Sequence, residues 1–156
     1  MAGNAFATPV KQALSFFSRT CSVFKEEDSN YAPTPAQFTV AQHVAHVAQT
    51  IDWFIEGGFR AEGFDLDFAA HQVKIREVRS LQEALAMLVR AVDHAAEVLT
   101  SKTPEEMMEP IADGPVMAGE PRAAIVAAIV EHTAHHRGAL AVYARLLGYE
   151  PPMPYA

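Results

Sequence analysis

The stretch EHTAHHRGAL, residues 131 to 140, holds three of the chain's seven histidines within five positions. His132 and His136 are four apart, so on a helix their rings lie one turn apart on a common face, about 6 Å along the axis. Imidazoles so placed can converge on one divalent ion at ~2.1 Å each. They fall within an apolar stripe of Ile125, Ile129, Leu140, Tyr143 and Leu147, so they belong to the buried face of that helix. Two buried imidazoles need hydrogen-bond partners or a ligand to offset desolvation. A metal site, a catalytic base pair and satisfied polar groups in a core are therefore the readings to separate. His135 lies off that face, at a seam or the surface. Glu131 precedes His132, but the order EHTAHH is not HExxH, so the zinc-protease base is absent.

A pair of histidines leaves an ion under-coordinated, and a third ligand must come from elsewhere in the fold. QHVAHV, residues 42 to 47, offers His43 and His46. Periodicity sets His43 nearer the core stripe and favours it slightly. His71 lies in an irregular loop, and His94 on a later helix faces solvent or a seam. Other chemistries find little support. There is no GxSxG, and Ser80 and Ser101 sit at helix boundaries. Gly57-Gly58 has no following GK[ST] to cradle phosphate. Cys21 is the only cysteine and reads as a small core or surface residue rather than a nucleophile, which leaves no disulfide framework and makes a reducing cytoplasm the expected compartment. The six methionines read as gap fillers.

The elements that must position these residues are four amphipathic helices. The first is expected from Pro9, capped by Thr8, to about Glu27. The second opens on Thr39, with Gln42 at capping-box spacing, and is expected to stop at Gly57-Gly58. Ser80 starts the third, and the fourth runs from about Pro121 to Leu147 before Gly148. A short helix is expected near Phe68 to Val73, and a single turn at Thr103-Pro104. Helices apolar on one stripe must bury those stripes on one another, so the expected fold is an all-α four-helix bundle with long connections after the second and third helices. The 156 residues suit one domain, 1–156. The net charge of −7, without a Lys/Arg cluster, argues against nucleic acid. No apolar run approaches the ~20 residues of a membrane span, and no signal peptide is read.

EHTAHHRGALAVYARLLGYEPPMPY, residues 131 to 155, resembles the terminal motif of the DinB (damage-inducible, YfiT-like) family: H-x-x-x-H-R-G-x-L, an aromatic, Arg/Leu-rich stretch and a proline-rich tail. FTVAQHVAHVAQTIDWF, residues 38 to 54, resembles that family's second-helix motif, in which a histidine lies seven residues before a tryptophan, as His46 does before Trp53. DLDFAA and SLQEALAML are similar to its middle region. The resemblance implies a homodimeric four-helix bundle with one divalent transition metal per chain, zinc or nickel, held by His46, His132 and His136. It thus favours His46 over His43, whose position is usually aliphatic in the family. Three neutral histidines would leave a coordination position open, the layout of a catalytic site. Related proteins include thiol-dependent S-transferases and isomerases, so transfer of a small-molecule thiol is the first expected activity and metal-assisted hydrolysis its rival. A non-catalytic, stress-related metal- or ligand-binding module is the alternative.

Overall fold

The computed structural model describes residues 3–156 and is helical, with no strand among the described residues and only an isolated bridge between Pro110 and Pro121. Its helices are α1 Gly3–Cys21, α2 Val40–Phe59, α3 Phe68–Glu77, α4 Leu81–Ser101, α5 Pro104–Met108 and α6 Ala124–Leu146. The caps of α2, α4 and α5 fall where the sequence places them, whereas Thr8, expected to cap the first helix, lies inside α1. The Thr39 hydroxyl accepts from the Gln42 backbone while the Gln42 amide oxygen accepts from the Thr39 N–H. Ser80 accepts from Glu83 N at the head of α4, and Thr103 with Glu106 forms a second capping box on α5. Gly148, at φ 82°, ends the last helix.

Three expected boundaries are corrected. α1 does not start at Pro9 but carries it inside, after a further turn. Ala7 is fully buried and Phe6 packs on the core, and that burial offsets the backbone bond Pro9 cannot donate. Its end comes at Cys21 rather than Glu27, because the Asp28 carboxylate accepts from Lys25 N at 2.8 Å and draws the chain into a 3₁₀ turn over Glu26–Asp28. Gly57-Gly58 is not the stop of α2, which continues to Phe59. Both glycines are buried close-approach positions. A Cβ on Gly57 would lie 2.2 Å from the Phe64 ring, and one on Gly58 would meet Ile125 of α6 at 3.0 Å.

The four long helices pack in a closed circuit: α1 lies against α4 and α6, and α2 lies against α4 and α6. The stripes meet inside. Phe17, Leu88, Leu99, Ile125, Ile129 and Leu140 are fully buried, and Val40, Val44, Val47, Ile51 and Ile55 of α2 are all 3% exposed or less. Of the two longer connections, residues 60–80 fold into α3, whose buried Ile75 docks it beside α2. Residues 102–123 hold α5 and are tied down by buried Met107 and Ile111. Among the described residues no helix is long and apolar enough to cross a membrane.

Candidate metal centre

The seam between α2 and α6 gathers the histidines. One ligand-capable nitrogen each from His46, His132 and His136 lies within 4.8 Å of the others. His46 Nε2 and His132 Nε2, 86 residues apart in sequence, stand 3.2 Å apart. A tetrahedral ion with bonds of ~2.1 Å would hold two nitrogens about 3.4 Å apart, so the pair already has the spacing of a shared ion. Burial, reinforced by the neighbouring histidines, depresses these imidazoles: His132 to about 4, His136 to about 2, and His46 below its ordinary value. At neutral pH all three are uncharged, with lone pairs to offer a cation. The donor set therefore fits a divalent transition metal.

His43 is buried deeper than His46, as periodicity indicates, but it sits behind the cluster and not in it. Its bonds fix the proton positions. The Phe38 carbonyl can only accept, so the Tyr143 hydroxyl donates to it at 3.0 Å. Tyr143 in turn accepts from His43 Nε2–H at 3.1 Å, which leaves His43 Nδ1 unprotonated. That nitrogen accepts from His136 Nδ1–H at 2.9 Å. The chain thus leaves the lone pair of His136 on Nε2.

The remaining histidines separate cleanly. His135 is exposed, with an edge-on contact to the His136 ring at 4.9 Å. His94 is exposed at the α2–α4 seam, 3.0 Å from the Asp52 carboxylate. His71 lies on α3 rather than in an irregular loop. Its Nδ1 accepts from the Gln49 amide at 3.1 Å, and its Nε2 lies 3.2 Å from the Asp65 carboxylate without the alignment of a hydrogen bond. Cys21 is buried 3% exposed, and desolvation pushes its thiol far above the ordinary range, so it is a core residue and not a nucleophile.

His46 and His132 open onto a cavity of about 390 Å³ between α2 and α3. Its walls are Phe38, Trp53, Phe54, Phe68 and Ile75, with Gln49, Thr50, His71 and Gln72 as its polar atoms. Sequence reading missed this cavity, although a signal was present. His46, Gln49, Thr50 and Trp53 follow the three- and four-residue steps of one helix face, beside the main core stripe. Only the docking of α3 turns that face into a wall. No curated protein matches the chain. A model of the DinB family matches residues 6–156, essentially its full length, and covers every residue of the histidine cluster and of the cavity. The chain belongs to the DinB family.

Proposed function

We propose that His46, His132 and His136 hold one divalent transition metal, zinc or nickel, and that the protein is an enzyme acting on a molecule seated in the adjoining cavity, by thiol transfer first and hydrolysis second. The observation that carries this reading is the cluster of three uncharged imidazoles, two of which, His46 and His132, line a mostly apolar cavity. When bound, such an ion supplies a Lewis acid of undiminished charge that lowers the pKa of a thiol or water beside it. The protein's own residues supply the rest. The Phe38–Tyr143–His43 chain orients His136, the aromatic walls exclude water, and Gln49, Thr50 and Gln72 offer neutral hydrogen-bonding groups to orient a substrate. A non-catalytic metal- or ligand-binding module is the second reading, favoured by the fact that no carboxylate lines the cavity to act as acid or base.

Elemental analysis of protein purified without an affinity tag is expected to give about one metal per chain. Thiols paired with electrophilic acceptors, and activated esters, are then screened with metal-loaded and chelated protein. Turnover lost on chelation and restored by metal supports the enzyme; metal retained without metal-dependent turnover favours the binding module. The proposal includes the family's four-helix bundle arrangement for the circuit of α1, α2, α4 and α6, and a homodimer. Val142 and Leu146, 55% and 59% exposed and one turn apart on α6, supply an apolar strip for a second copy. Sedimentation tests the dimer.

A further inference from the structure

We infer that the molecule admitted to the cavity has an uncharged, aromatic-sized apolar body and a single donor atom, so that thiols or acceptors carrying several charges are rejected. The inference rests on the metal reading above and narrows its substrate class. The Trp53 ring lies 5.1 Å from Phe54 and 6.0 Å from Phe68, a continuous aromatic wall, and Phe64 backs it at 4.5 Å. Trp53 Nε1 already donates to the Asp65 carbonyl at 2.7 Å, so the indole has only its apolar surface to offer. The polar groups that remain are neutral amides, a hydroxyl and imidazole, and no Lys, Arg, Asp or Glu lines the cavity.

The guanidinium stacked on the Phe38 wall is committed elsewhere. Arg76 stacks over the Phe38 ring at 4.7 Å and donates to the Ala36 and Gln37 carbonyls at 2.9 Å each. A carboxylate or ammonium on a bound molecule would therefore lose its water without gaining a counter-charge. With no Lys, Arg, Asp or Glu in the lining, an ion on the three histidines would be the fixed charge on offer, and it can satisfy one donor atom. Phe68, which lines the cavity, is itself 57% exposed, so the apolar lining reaches the surface. A volume near 390 Å³ lies within the range of small-molecule sites.

Two thiols with the same donor and opposite bodies test this: benzyl mercaptan, neutral and aromatic, and mercaptosuccinate, with two carboxylates. Trp53 is the chain's only tryptophan and lines the cavity, so its fluorescence reports on occupancy. In cobalt-loaded protein, the near-ultraviolet thiolate-to-cobalt absorption reports on the donor. Benzyl mercaptan is expected to change both signals and to bind more tightly by a factor of ~30 or more. Gln72→Arg, at an exposed position of α3 on the cavity rim, is expected to narrow that preference by installing the missing cation. Equal or tighter binding of mercaptosuccinate to the wild-type protein overturns the inference and leaves the metal reading standing. Cobalt-loaded protein in which benzyl mercaptan moves neither signal overturns it as well. Wild-type protein that retains no cobalt or zinc sinks the metal reading itself, and this inference with it.

Discussion

At the scale of single residues, the histidines of α2 divide by role, although both lie close to α6. His46 has Nε2 directed at His132 Nε2, whereas His43 spends both ring nitrogens on Tyr143 and His136. His46→Ala is expected to abolish stoichiometric metal binding. His43→Leu is expected to keep the stoichiometry but weaken affinity about 10–100-fold, the usual effect of removing a partner that orients a ligand. His43→Gln, which can accept from His136 and donate to Tyr143, is expected to recover most of that loss. Competition titration with a chromophoric chelator measures all three, and unchanged affinity in His43→Leu would remove His43 from the site.

The same residues set a pH dependence. Burial depresses His43 and His132 to about 4 and His136 to about 2, against 6.5 for an ordinary imidazole. Below about pH 6.5 the unfolded chain binds more protons than the native one. Stability of the metal-free protein is therefore fully present above that value and is lost as the pH falls toward 4. The slope approaches about 1.4 kcal/mol per pH unit for each histidine that stays neutral only in the native state. Urea midpoints of the metal-free protein between pH 7.5 and 4.5 check this, and a flat profile would mean that the native imidazoles titrate freely.

At the scale of elements, the cavity depends on how closely the chain after α2 can return to it. Gly57 leaves room for Phe64, and Phe64 supports Trp53 from behind. Gly57→Ala would gain about 0.5–1 kcal/mol in helix propensity but places a Cβ against the ring body, where overpacking costs ~1–3 kcal/mol. The expected net result is loss of stability together with a shifted Trp53 emission maximum. A more stable variant with unchanged emission would show that Phe64 yields freely. The helix starts were legible because each rests on local chemistry: Thr39, Ser80 and Thr103 each accept a backbone N–H three residues on. Gly57-Gly58 misled because a buried glycine inside a helix and a glycine that ends one look alike in sequence. What separates them is a neighbour, Phe64 or Ile125, that the local pattern does not contain. Pro9 misled in the same way, since the burial of Ala7 is a tertiary contact.

At the scale of the whole molecule, an ion on His46, His132 and His136 would tie α2 to α6 across the seam. Ligand binding to the native state alone stabilises by RT ln(1 + [L]/Kd), about 4 kcal/mol at a thousandfold excess over Kd. Zinc added to chelated protein is expected to raise the Tm in a concentration-dependent way, and His46→Ala is expected to remove most of that shift. Calorimetry of the two proteins with and without zinc measures it, and an equal shift in both would place the zinc elsewhere.

By itself the sequence determined the helical class, the caps at Thr39, Ser80 and Thr103, the inward pair His132 and His136, and, through the DinB motifs, His46 as their partner. All of these are written in residue type at spacings of three, four or seven, which one helix expresses alone. Tertiary structure decided what no single helix can express. It placed His43 behind the cluster with its protons fixed by Tyr143 and Phe38, and it brought α3 with His71 across from α2. Burial alone ranks His43 above His46, because periodicity measures distance from the core and not direction toward a cavity. A ligand must face an opening as well as a metal. That opening exists only where α2, α3 and α6 meet.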